Sequence, residues 1–167
     1  RMAPPLIVAV NGTVAGGGLS LVLVADMVLS ARSAKFTLAY TRAGLVPDGS
    51  STYFLPRLVG LRRAKELIFT NRVLNAEEAL DWQLINQVLD DELLQDEAQK
   101  LAKSLADGPL ATHGMVKHLL AETFSNHLEN QMESESRGLA LALSGDEGQE
   151  GMRAFLEKRK PFFPGQV

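Results

Sequence analysis

The chain has 167 residues, 46% apolar and 22% charged, with a formal net charge of −3 and no cysteine. That length holds one core, or a small core with a helical appendage, and scattered Lys and Arg argue against nucleic acid or an anionic membrane as the main partner. The absence of cysteine excludes disulfides, thiolate zinc sites and a cysteine nucleophile, and it suits a reducing cytosol, so a cytoplasmic location is expected.

Residues 6–10 (Leu-Ile-Val-Ala-Val) read as an apolar strand, and the glycine-rich run 11–20 leads from it into an apolar helix over 17–25. Residues 27–31 suit a buried strand and 34–38 a further short one. Two helices are expected at 50–58 and 61–70, the second with Ala64, Leu67 and Ile68 on one face. Asn75 with Glu78 three positions on has the pattern of a capping box, opening a helix that runs to Trp82, itself a core-packing residue. Residues 85–89 suit one last strand. Leu94, Ala98, Leu101, Ala102 and Leu105 recur at helical spacing over 92–106, and Gly108-Pro109 stops that helix. Helices at 109–123, 127–143 and 149–160 complete the tail. Their apolar faces exceed what a few isolated helices can bury, so partner subunits are expected. No apolar run is long enough to span a bilayer. The change of pattern places a boundary at residues 70–75, dividing an α/β core (1–72) from a helical oligomerisation region (73–167).

Three features could carry chemistry. Gly16, Gly17 and Gly18 lie at a strand-to-helix turn, where glycine allows close backbone approach and the first helical N–H groups are unpaired. Such donors suit an oxygen that gains negative charge. The same glycines equally suit a tight turn with close helix packing, and the spacing is neither G-x-G-x-x-G nor a P-loop. Asp48, in Pro47-Asp48-Gly49, also has two readings. It can cap the helix that begins at Ser50-Ser51-Thr52, or it can act as a base beside an apolar pocket walled by Val46, Tyr53, Phe54 and Leu55. Asp26 is expected to cap the end of the first helix. His113, His118 and His127 lack an H-E-x-x-H spacing, so no metal site is expected. Nor does Ser20 stand in a G-x-S-x-G setting that would make it a nucleophile.

The glycine run 11–20, then Ala43-Gly44-Leu45-Val46-Pro47-Asp48-Gly49-Ser50-Ser51-Thr52, Leu55-Pro56-Arg57-Leu58-Val59-Gly60, Asn75-Ala76-Glu77-Glu78-Ala79 and the stretch 150–161 follow one another at familiar spacings. Together they resemble the enoyl-CoA hydratase/isomerase (crotonase) superfamily over essentially the whole chain. The resemblance implies a crotonase-like α/β spiral core of strand–helix turns followed by a C-terminal helical trimerisation region, as a homotrimer or a hexamer. It also implies a further stretch ahead of this chain, carrying a second oxyanion-hole amide; Arg1-Met2-Ala3-Pro4-Pro5 resembles mid-protein sequence without a signal-peptide pattern.

The matched positions imply roles. Gly17 corresponds to one oxyanion-hole amide, with Gly16 beside it at the substrate, and Asp48 to the single catalytic carboxylate of several isomerase branches. Ser20 and Tyr40 stand where hydratases carry two glutamates, which leaves them as pocket walls together with Tyr53. Water addition needs two such groups, one to activate water and one to deliver a proton. Phe155 and Lys158, with Lys160, correspond to residues that hold coenzyme A, although a solvated basic helix end explains the lysines as well. The implied activity is isomerisation of an unsaturated acyl-CoA through an enolate, with coenzyme A as part of the substrate and no metal or other cofactor. Alternatives are an enoyl-CoA hydratase-like enzyme, a hydrolytic aryl-CoA dehalogenase and a non-catalytic acyl-CoA-binding protein.

Overall fold

The computed structural model describes residues 2–163. Early in the chain, successive turns add one strand to each of two small sheets. β1 (Ile7–Val10) and β2 (Thr13–Ala15) are followed by α1 (Gly17–Leu23), then by β3 (Met27–Ala31) and β4 (Lys35–Thr37). β1 pairs in parallel with β3, placing Val8 opposite Val28, and β2 pairs in parallel with β4, placing Val14 opposite Phe36. Parallel neighbours need a crossover, and α1 supplies it for both pairs.

A 3-10 turn at Thr41–Ala43 leads through a loop to α2 (Ser51–Val59) and α3 (Leu61–Thr70). β5 (Leu74–Asn75) then adds antiparallel to β4, and after α4 (Ala76–Asp81) β6 (Gln87–Leu89) adds parallel to β3. The sheets therefore have the orders β1-β3-β6 and β2-β4-β5. β3, the middle strand of the first, is almost wholly buried on both faces, as a central parallel strand should be, with Ser30 its one polar residue. Leu19, Phe36, Leu38, Leu55, Leu67 and Leu74 are fully buried. Each such side chain stabilises the fold by roughly 1.5–3 kcal/mol relative to an exposed one.

α5 (Leu94–Ala106), α6 (Leu110–Glu122), α7 (Leu128–Ser144) and α8 (Asp146–Leu156) complete the chain. Two compact units emerge: Leu6–Lys100, and residues 2–5 together with 101–163. This division differs from the expected 1–72 and 73–167, whose outer ends (residue 1 and residues 164–167) lie outside the described residues. β5 and β6 account for the difference, because both follow residue 73 yet pair with strands of the first unit.

Most elements lie within a few residues of their expected bounds. β2 was not expected, because its three residues sit inside the glycine run. α8 begins earlier than expected, at Asp146 after Gly145, and stops earlier, at Leu156. It ends where Lys158 turns left-handed (φ 54°) and the Arg159 amide reaches back to the Ala154 carbonyl at 3.0 Å, a Schellman closure. Asn75 and Glu78 form the expected capping box. Asp26 does not cap α1, which ends at Leu23 with Val24 in the capping position. Its carboxylate accepts from the Leu6 amide at 2.7 Å, and so closes the start of the β1–β3 pair.

In the second unit, α6 has no side-chain cap of its own at Pro109. Glu147 of α8 supplies one, accepting from the Ala111 and Thr112 amides at 2.9 Å each and from the Thr112 hydroxyl at 2.9 Å. Burial pushes the Glu147 carboxyl up, but these donors together hold it below the usual carboxylate range.

Candidate active site

Gly16 is left-handed (φ 52°) and its amide donates to the Thr37 carbonyl at 3.2 Å, which fixes the turn between β2 and α1 against the end of β4. The Leu19 and Ser20 amides both return to the Gly16 carbonyl, at 3.0 and 3.3 Å. Gly17 and Gly18 open the helix, and N–H groups at that position have no intrahelical acceptor. Tyr40 lies beside them. A Cβ added to Gly16 would sit 3.9 Å from the ring carbon Cζ, and one added to Gly17 would sit 3.7 Å from the hydroxyl.

Asp48 lies on a loop that meets the same helix at Ser20. Its carbonyl accepts three donors: the Ser51 amide at 3.1 Å, the Ser51 hydroxyl at 2.7 Å and the hydroxyl of buried Ser20 at 3.1 Å. The capping position of α2 is Ser50, left-handed at φ 65°, with no side-chain cap bond. The helix start is thus served by the Asp48 carbonyl and not by its carboxylate. The carboxylate instead accepts a hydrogen bond at Oδ1 from the Tyr40 hydroxyl. Gly49 (φ 58°) packs so closely on α1 that an added Cβ would fall 2.7 Å from Cβ of Ser20.

The structure therefore gathers Gly16, Gly17, Ser20, Tyr40 and Asp48. Of the expected apolar walls, Val46 is exposed, Phe54 half-buried and Leu55 fully buried in the core. Tyr53 is exposed on α2, its ring edge-on to Phe54 and covered by the Arg57 guanidinium 3.6 Å from its centroid. Phe155 and Lys158 belong to the other compact unit, Phe155 largely exposed and Lys158 at the closure of α8. Sequence reasoning missed Gly49 and Ser51. The cue was the Pro-Asp-Gly-Ser-Ser string itself, which also suits a loop pinned through its carbonyl. Trp82 is buried, as a core residue, with the guanidinium groups of Arg63 and Arg72 each about 5 Å from its ring centroid.

Two small sheets wound with helices, and a glycine turn with Tyr40 and Asp48 beside it, define an α/β protein with a candidate acid/base site. The family described as enoyl-CoA hydratase/isomerase matches residues 1–166, and the chain belongs to that family. It is 42% identical over 166 residues to the 1,2-epoxyphenylacetyl-CoA isomerase of Escherichia coli (strain K12), covering 99% of this chain and 63% of that protein. It is 34% identical over 158 residues to 4-chlorobenzoyl coenzyme A dehalogenase-1 of an Arthrobacter species, covering 95% and 57%. A crystal structure of enoyl-CoA hydratase/isomerase from Cupriavidus metallidurans CH34 superposes with a TM-score of 0.91 at 38% identity, covering 99% and 63%, so the fold is the crotonase fold. The chain spans less than two thirds of the length of these relatives.

Proposed function

We propose that this chain carries the acid/base half of an acyl-CoA isomerase that moves a double bond by way of an enolate. The observation behind this reading is that, of Ser20, Tyr40 and Asp48 gathered at the Gly16–Gly17 turn, Asp48 alone carries a carboxylate. In the proposed reaction the Gly17 N–H donates to the thioester oxygen and stabilises the charge that develops there; one such donor is worth about 3 kcal/mol in a transition state. Asp48 removes a proton from the carbon alpha to the carbonyl and returns it to the gamma carbon, so a β,γ double bond becomes α,β. Coenzyme A enters as part of the substrate, and Phe155 and Lys158 are proposed to contact it. One carboxylate on one face suffices for a proton shuttle. Hydration would need a second acid/base group, and Ser20 and Tyr40 do not provide a carboxylate.

Asp48→Asn in the complete polypeptide should lower turnover of a trans-3-enoyl-CoA by about 10²–10⁴-fold. Acyl-CoA affinity, measured by calorimetry, should stay near the parent value. Unchanged turnover would remove Asp48 from the mechanism. The dehalogenase relative favours a second reading, in which the same carboxylate is a nucleophile. Chloride release from 4-chlorobenzoyl-CoA, lost in Asp48→Asn, would select that reading over the bond shift.

A further inference from the structure

We infer that Tyr40 is a positioning residue for Asp48: its hydroxyl holds Oδ1 of the carboxylate and so presents Oδ2 as the base. The inference rests on the isomerase reading above and adds to it the group that orients its carboxylate. Asp48 is exposed, so nothing in its immediate burial restricts its rotamer. The Tyr40 hydroxyl donates to Oδ1, and among the described residues Oδ2 accepts no hydrogen bond. A hydrogen bond to an ionised oxygen is stronger than one between neutral groups, and it gives direction as well as energy.

The orientation is only as good as the two ends that the bond connects, and both are fixed. On the Asp48 side, three donors converge on the main-chain carbonyl. On the Tyr40 side, the carbonyl accepts from the Ala43 and Leu45 amides at 2.9 and 3.1 Å. The next residue, Thr41, donates its hydroxyl to the Ile68 carbonyl at 2.6 Å and accepts from the Asn71 side-chain amide at 2.8 Å, while the Arg42 amide donates to Asn71 Oδ1 at 3.2 Å. Ala39 precedes Tyr40 in the left-handed region at φ 56°, a strained conformation for alanine that persists only where its surroundings over-determine it. Past that reversal the Tyr40 ring lies along the Gly16–Gly17 turn, within 3.7–3.9 Å of where Cβ atoms on those glycines would stand. The phenol therefore links the glycine turn to the carboxylate at one set distance.

The test is a double-mutant cycle in the complete polypeptide with a trans-3-enoyl-CoA, following formation of the conjugated thioester and deuterium uptake at the alpha carbon from D2O. Tyr40→Phe keeps the ring and removes only the donor. It is expected to lower kcat for both readouts by about 10- to 100-fold while KM stays within about twofold, the signature of a misaimed base. In an Asp48→Asn background the same change should cost nothing further, because the hydroxyl acts through the carboxylate. Wild-type kcat in Tyr40→Phe, a loss confined to KM, or an equal loss in both backgrounds would each overturn the inference while leaving the isomerase reading intact. Full turnover in Asp48→Asn alone would instead overturn the isomerase reading. Should Tyr40→Phe not fold, 3,5-difluorotyrosine at position 40 decides: it keeps the ring and the hydroxyl but ionises at lower pH, and a phenolate cannot donate to Asp48. Its kcat should then fall as pH rises through that ionisation, whereas a kcat–pH profile unchanged from wild type overturns the inference.

Discussion

Gly49 sets how closely the loop bearing Asp48 approaches α1. Its φ of 58° disfavours any side chain, and the space that a Cβ would need is occupied by Ser20. Gly49→Ala should therefore destabilise the protein by about 1–3 kcal/mol, read as a fall in thermal midpoint. Adding Ser20→Gly should restore the steric part and leave the backbone part. If the loss is the same with and without Ser20→Gly, the contact plays no role in it. At this scale the sequence left Asp48 two readings, helix cap or base, and the structure removes the first, since the Ser51 amide meets the Asp48 carbonyl and not its carboxylate. Its partner Tyr40 was legible only as a pocket wall. Nothing in the eight-residue separation of Tyr40 and Asp48 announces a hydrogen bond, which depends on the left-handed turn at Ala39.

Individual elements were the most legible level, since capping and periodicity act over a few residues. The capping box at Asn75 and Glu78 and the bounds of β3 and α3 follow from local chemistry. The end of α8 shows what local reading leaves out. There Glu150 accepts from the Arg159 guanidinium at 2.6 and 3.0 Å and from the Phe162 amide at 2.9 Å. Arg159 first, and the Phe162 amide second, hold the Glu150 carboxyl at about 2, against an ordinary value of 4.5. A carboxyl depressed in the folded state stabilises it fully above its unfolded value and loses that contribution as pH falls through the folded one. The clasp should thus be complete above pH 4.5 and open as pH drops toward about 2. The Phe162 amide resonance should report a midpoint in the lower part of that range, and Glu150→Gln should abolish the transition. A midpoint at the ordinary carboxylate value would rule the clasp out.

The whole molecule raises a question of apolar surface. Among the described residues of the second unit, Ala154 is the one buried apolar residue, while Leu128, Met132, Leu139, Leu141 and Leu143 of α7 and Leu120 and Phe124 beside them in sequence are exposed. A surface of this kind is covered in a stable assembly. We propose a homotrimer or hexamer, as the family resemblance implies. Leu139→Asp should lower the mass measured by light scattering, and an unchanged mass would clear α7 of a part in assembly.

By itself the amino-acid sequence determined the family, the α/β class, nearly every helix and strand, and the glycine turn and carboxylate that the proposed chemistry needs. Each of these is encoded within a few neighbouring residues or in one ordered set of motifs. Only the tertiary structure decided that β5 and β6 return to the first unit, that Asp48 is anchored by its carbonyl and not engaged as a helix cap, and that Tyr40 meets its carboxylate. Those outcomes depend on strand pairing and chain reversals between distant segments, whose energies arise from contacts that no local pattern contains.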